Sequence, residues 1–192
     1  FFGRDREIEE LYHRVFESKI MLVYGISGTG KSSLIHCGLA NKFQDTDWLP
    51  VVIRRGANII DSMSAAIKAA SVTNRQETGK GTSVSRKDVL SLYLDYYKPV
   101  FFIFDQFEEI FSSYQDRWKD REGFFEQVSD VLEADPLLKV VFVIREDFIA
   151  QLDPYEDLLP EGLRTRFHME RMRYENALLA IKEPVKKVGR SF

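Results

Sequence analysis

Apolar positions follow two rhythms along this chain. From Asp5 to Glu17 they fall at Ile8, Leu11, Tyr12, Val15 and Phe16, the spacing of a helix with one buried face. Ile20 to Tyr24 is a short continuous apolar run and predicts a strand. A glycine-rich loop and a helix from Lys31 to about Phe43 follow. Pro50 to Arg54 reads as a second strand, and Ile60, Met63, Ile67 and Ala70 space as a helix. Asn74 to Ser85 is polar and predicts an exposed loop. Val89, Leu90, Tyr93, Leu94 and Tyr97 mark another helix, which Pro99 ends as the strand Val100 to Phe104 opens. Phe124, Phe125, Val128 and Leu132 predict a helix, and Asp135-Pro136 turns the chain into the strand Lys139 to Ile144. A weaker strand, Thr165 to Glu170, precedes a helix carrying Tyr174, Ala177, Leu178 and Ile181.

Strands thus alternate with helices at least four times, and the two strongest are apolar throughout. Both faces of such strands are buried, which predicts an α/β fold: a parallel sheet covered by helices on each side. No repeat or linker divides the chain, so residues 1–192 read as one domain. The absence of a starting Met and the Lys-rich end suggest a piece of a longer protein.

Composition narrows the classes. With 192 residues, 44% hydrophobic and 30% charged, the chain supports one substantial core. A net charge of −3 gives no basic footprint, so nucleic acid is not the expected partner. Cys37 stands alone and suits a reducing, cytoplasmic setting. The longest apolar runs are far short of the roughly twenty residues that span a bilayer, so no membrane partner is expected.

The chemistry gathers in three places. Gly25-Ile26-Ser27-Gly28-Thr29-Gly30-Lys31-Ser32 fits G-x-x-x-x-G-K-[ST] between a strand and a helix, with Ser33 following. Glycines let backbone N–H groups turn around phosphate oxygens at a helix N-terminus. Lys31 supplies a cation for the β and γ phosphates, and the Ser32 hydroxyl a ligand for Mg²⁺. Gly79-Lys80-Gly81-Thr82 is similar on its face, but no strand precedes it and it reads as loop. Asp105, at the end of the apolar strand Val100 to Phe104, is the expected second Mg²⁺ holder. Gln106 stands where a Glu would be the simple base, so Glu108, Glu109 and Gln106 are the candidates for orienting an attacking water; Glu108 leads. The bland alternative makes the two acids a solvated helix start.

Arg145 follows the strand ending at Ile144, where it can read a γ-phosphate or pair with Asp105 and Glu108. Arg164 and Arg166, where the last strand begins, can face a neighbouring subunit's nucleotide or plain solvent. Gly3-Arg4 lies beside Phe1 and Phe2, which suit either an adenine ring or the core. His13, His36, His168 and Cys37 have no partner at metal-ligand spacing; His36 and Cys37 read as packing residues, and no metal beyond the nucleotide's Mg²⁺ is expected.

Four blocks occur in order: Phe1-Phe2-Gly3-Arg4-Asp5-Arg6-Glu7, the glycine cradle, Phe101 through Asp105-Gln106-Phe107-Glu108-Glu109, and Val141 through Arg145-Glu146-Asp147-Phe148. Together with Leu159 to Phe167 and Ala180 to Pro184 they resemble the STAND signal-transduction NTPases, and most of all the bacterial novel-STAND group within the AAA+-like proteins. The resemblance implies a P-loop NTPase three-layer sandwich with sheet order 5-1-4-3-2, and ATP/ADP with Mg²⁺ as cofactors. It places Gly3-Arg4 on the adenine side, makes Arg145 the γ-phosphate sensor, and lets the helix from about Tyr174 begin a lid. It further implies slow hydrolysis in a switch: a closed ADP monomer and an ATP-bound homo-oligomer that drives a fused effector, often in defence against phage. Sensor and effector segments lie outside this sequence. A DNA-stimulated motor or loader, a non-catalytic module holding nucleotide as a structural ligand, and a phosphotransferase are the alternatives.

Overall fold

The computed structural model describes residues 2–44, 48–54, 56, 58–72, 84, 86–112 and 118–187. Phe1 and the predicted loop from Asn74 to Ser85, with Gly79-Lys80-Gly81-Thr82 but without Val84, lie outside them. Five strands form one sheet: β1 (Ile20–Gly25), β2 (Leu49–Ile53), β3 (Val100–Phe104), β4 (Leu138–Arg145) and β5 (Arg166–His168). Their order is β2-β3-β4-β1-β5, which is 5-1-4-3-2 read from the other edge, and every pair is parallel. β5 is shorter than the apolar pattern suggests, with three residues and one buried side chain, Phe167.

Alternation along the buried strands divides the core in two. Met21, Val23, Phe101, Ile103, Val141 and Val143 face a layer made by the first helix, Asp5–Val15, and the helix after the glycine loop. Ile20, Leu22, Phe102, Phe104, Val140 and Phe142 face the helices Ile59–Ala70, Arg86–Tyr96 and Trp118–Ala134 on the other side. Parallel strands need such crossovers, so helices cover both faces and leave the strand ends to carry the site.

Two helices depart from the predicted pattern. The one after the glycine loop starts as α-helix at Lys31–Ser33, widens to a π-helix over Leu34–Leu39 and resumes as α-helix at Ala40–Gln44. At its wide turn Gly38 meets the Ile8 side chain, which leaves no room for a Cβ. The last helix, Tyr174–Lys187, buries no residue: Tyr174 is 78% and Ile181 56% exposed, so its apolar face is largely bare. Among the described residues no helix is long and apolar enough to cross a membrane.

Candidate functional site

Between the end of β1 and Lys31 the chain must reverse within residues 26–30. Gly28 and Gly30 do this at φ 79° and 89°, a left-handed backbone that a Cβ would strain. Thr29 closes the loop on itself, its hydroxyl donating to the Ile26 carbonyl at 3.0 Å. Lys31 is largely buried and turns back into the loop, donating to the carbonyls of Gly25 at 2.8 Å and Ile26 at 3.0 Å. Burial lowers its pKa from the ordinary lysine value, against the opposing charge of Glu108.

The acidic element is held by backbone and by aromatic packing. Asp105 N–H extends the ladder to the Ile53 carbonyl at 3.0 Å, and Phe107 N–H reaches the Val143 carbonyl at 2.9 Å. The Phe107 ring stacks on Phe142 with centroids 4.2 Å apart, inside a cluster with Phe104, Phe124 and Phe125. That anchor fixes the turn and forces Gln106, which has a side chain, to φ 56°. Gln106 and Glu108, on either side of the anchored ring, reach the cleft; Glu109 instead opens the short helix Glu109–Ser112.

Asp105 accepts four bonds. Ser32 Oγ–H and Gln106 N–H donate to Oδ1 at 2.7 and 3.0 Å, and His36 Nε2 and Arg54 donate to Oδ2, each at 3.0 Å. Burial alone raises the carboxyl's pKa, but the bonds from His36, Ser32 and Arg54 outweigh it and hold it below the usual value. A carboxyl depressed on folding contributes stability that is complete above its unfolded pKa, about 3.9, and is lost as pH falls through the lower folded value. In metal-free buffer, Asp105→Asn is therefore expected to flatten the loss of stability below about pH 4. Denaturant melts at stepped pH measure this, and parallel wild-type and variant curves would contradict it.

These parts meet in a cleft of about 220 Å³ at the carboxyl ends of β1, β3 and β4. The glycine loop and helix start line it with Ser27, Gly28, Gly30, Lys31, Ser32 and Ser33, and the ends of β3 and β4 with Asp105, Gln106, Glu108 and Arg145. Open α/β sheets bind ligands at this edge. Gly25 and Arg145 are paired across β1 and β4, so loop and arginine share one rung. The Arg145 guanidinium does not pair with Asp105 or Glu108, contrary to one expectation. It forms a two-pronged ion pair with Asp147 at 3.1 and 2.6 Å and lies over the Phe148 ring. A side chain two residues on is simply the nearer anion. Only the Arg145 backbone N–H touches Glu108, at 3.3 Å to Oε2.

Gly3 and Arg4 are not among the residues lining that cleft; they sit where the first helix, the glycine loop and the segment after β5 meet. Arg4 is 2% exposed and donates to Glu7 at 2.9 Å and to the carbonyls of Thr29 and Glu170 at 3.0 Å each. At Gly3, φ is 80° and a Cβ would run into the Asn176 carbonyl of the last helix. Phe2 lies under the Lys187 ammonium, so it too faces that helix. Arg4 also borders a second cleft of about 540 Å³ at the outer edge of β5, with Arg6, Arg14, Arg166, Arg171 and Arg173. Arg166 is tied there to Glu156 and the Leu163 carbonyl, while Arg164 is exposed. His168 stacks on Tyr24 at 4.9 Å, and His13 meets the Tyr12 ring edge-on.

Two participants were not foreseen. His36 is no packing residue, because Ser32 and His36 are four apart on one helix and present one face to Asp105. Cys37 is likewise not packed but exposed. Arg54 reaches Asp105 because β2 neighbours β3, with Ile53 beside Phe104. An arginine directly after β2 was the available signal, once the strand order was known.

Among the described residues, no three His, Cys, Asp or Glu side chains gather to hold a metal alone. One carboxylate touching one hydroxyl at 2.7 Å is nonetheless the donor set that Mg²⁺ uses when phosphates supply further ligands. Ser32 and Asp105 fit that ion.

Parallel sheet, strand order and glycine loop together define the class of P-loop NTPase folds. The family described as Novel STAND NTPase 1 matches residues 1–192, and the chain belongs to that family. Among solved structures it is similar to the Walker-type ATPase paby2304 of Pyrococcus abyssi, at TM-score 0.70 and 15% identity, covering 100% of this chain and 60% of that one. It is also similar to the Aeropyrum pernix ORC2 protein in its ADPNP–ADP complexes (TM-score 0.64, 15% identity, 96% and 52% covered). A third likeness is to AMPPCP-bound DnaA from Aquifex aeolicus (TM-score 0.52, 13% identity, 99% and 53% covered). At these identities the likeness is one of fold, and the chain spans little more than half of each. No curated protein sequence matches.

Proposed function

We propose that this chain binds ATP and ADP with Mg²⁺ and acts as the nucleotide switch of a larger protein. The observation that carries the reading is the convergence of Lys31, Ser32, Asp105 and Arg145 on one cleft at the end of a glycine cradle. Lys31 exchanges the Gly25 and Ile26 carbonyls for β- and γ-phosphate oxygens. Ser32 Oγ and the Asp105 carboxylate would hold Mg²⁺, which would supply positive charge against that developing on the phosphoryl oxygens. Glu108 and Gln106 flank the place of an attacking water, as base or as orienting amide. Arg145 exchanges Asp147 for the γ-phosphate, and this change of partner is the local event that biases two arrangements of the protein. Hydrolysis is slow, in keeping with a Gln beside Asp105 where a Glu would supply a simple base. The ATP state assembles a homo-oligomer that drives a fused effector, with antiphage defence as the setting.

Calorimetric titration with MgATP and MgADP tests the first step: saturable binding is expected, and no heat at millimolar nucleotide would refute it. In the full-length protein, turnover is expected to rise more than linearly with concentration as subunits complete each other's sites. A strictly linear response would exclude that contribution. The arginines of the second cleft, with Arg6, Arg171 and Arg173 exposed, favour one other reading, a DNA-stimulated motor or loader. ATP turnover with and without duplex DNA separates the two.

A further inference from the structure

Asp105 is saturated with donors by the protein itself. Its side chain is shielded from solvent, and Ser32, Gln106, His36 and Arg54 occupy both oxygens. An ionised carboxylate offers about four lone-pair positions. A cation or its water can therefore reach Asp105 only when one donor withdraws.

The four donors differ in how readily they can do so. The Gln106 N–H belongs to the backbone of the adjoining residue and stays. Ser32 keeps two lone pairs after donating its proton, so its hydroxyl can serve a cation without leaving Asp105. His36 rises from the glycine-loop helix one turn beyond Ser32, and its side chain is 32% exposed, less than that of Arg54. Arg54 is unlike all three. It follows the sheet's edge strand β2, its side chain is 57% exposed, and among the described residues its hydrogen-bond partner is Asp105 alone. Its guanidinium is permanently charged, so it repels any second cation brought to the same carboxylate. It also stands outside the residues that line the cleft, which suits a group that leaves rather than one that grips phosphate.

Resting on the assignment of Ser32 and Asp105 to the nucleotide's Mg²⁺, we propose that Arg54 is a displaceable counter-cation of Asp105. It neutralises the carboxylate when no divalent cation is at hand, and gives it up when one arrives with nucleotide. Two effects of opposite sign follow. Arg54 stabilises the metal-free fold, because without it Asp105 is a buried charge short of a partner. By the same interaction it weakens the metal-dependent part of nucleotide binding, since the two cations compete for one carboxylate. Arg54 is thus a positioning residue that sets a threshold, rather than a group acting on phosphate.

Titration of wild type, Arg54→Gln and Arg54→Lys with ADP, in Mg²⁺ and again in EDTA, tests this. Arg54→Gln is expected to bind MgADP about tenfold more tightly, in the usual range for coupled binding events. Its affinity for ADP in EDTA should stay within about twofold of wild type, and Arg54→Lys, which keeps the charge, should lie close to wild type. The metal-free melting temperature of Arg54→Gln should fall while its rise on adding MgADP grows. Manganese titration followed by electron paramagnetic resonance should show the same tightening without reference to turnover. Equal or weaker MgADP binding by Arg54→Gln would overturn the proposal, because Arg54 would then orient Asp105 or touch phosphate. A wild-type chain that binds ADP in neither buffer would instead remove the nucleotide reading on which the proposal stands.

Discussion

Lys31→Ala is expected to show no ATP or ADP binding at concentrations about a hundredfold above those that saturate wild type, a loss of at least about 2.7 kcal/mol. The expectation follows from where the ammonium sits. It is held 2.8 and 3.0 Å from two carbonyls of the loop that cradles phosphate, so a short rotation delivers it to phosphate oxygens. The same variant should melt close to wild type. Removing the ammonium forfeits two hydrogen bonds, but it also removes the penalty of keeping a charge in a buried place, which is why the pKa of Lys31 is lowered. Calorimetry and thermal melts on one sample separate the two quantities. Wild-type affinity in a folded variant would remove Lys31 from the site. Lost affinity with a collapsed melting temperature would mean that the lysine supports the loop instead.

Arg4→Ala should have the reverse profile, a large loss of stability that begins behind the glycine loop, at a side chain that does not line the cleft. The guanidinium joins the start of the first helix to the glycine loop through Thr29 and to the segment after β5 through Glu170. Breaking a buried, hydrogen-bonded charge costs on the order of 3 kcal/mol. In a chain of this size that is roughly a 6–12 °C fall in melting temperature. The Arg4 Nε has no partner among the described residues, which tempers the loss but leaves its sign unchanged. Differential scanning calorimetry reads the outcome directly. A shift under about 2 °C would show that Arg4 is not a structural junction and would favour a role confined to adenine.

The sheet was legible because its central strands are apolar without interruption: a run as short as Val100–Phe104, with Pro99 before it and Asp105 after it, suits a strand buried on both faces. The glycine loop was legible because a phosphate cradle dictates residue types at fixed spacing. Side-chain partnerships were much less so. Nothing in Leu34–Leu39 announces a π-helix, since six ordinary residues suit either winding until Gly38 meets Ile8. His36 was discounted for want of a metal-ligand partner, although its distance from Ser32 already placed it on the face that meets Asp105. Arg145 reads as the residue after the strand and is in fact its last, but its direction depends on Asp147, an acid too near in sequence to stand out. The last helix shows the opposite limit. Its apolar spacing marks a helix, yet spacing reports which side could be covered and not whether anything covers it.

β1 lies between β4 and β5, each more than a hundred residues later in the chain. Synthesis therefore delivers the glycine loop early and the strands that hold it late, an interval on the order of ten seconds at ordinary elongation rates. The β2–β3 pair can close sooner, because its members are nearer in sequence. Throughout that interval Ile20–Gly25 is an apolar strand without neighbours, and the loop beyond it has no fixed path on which to aim its N–H groups. Ligand present during synthesis consequently meets no formed site until β4 and β5 have both emerged. It can only retain chains whose central strand has already found both partners.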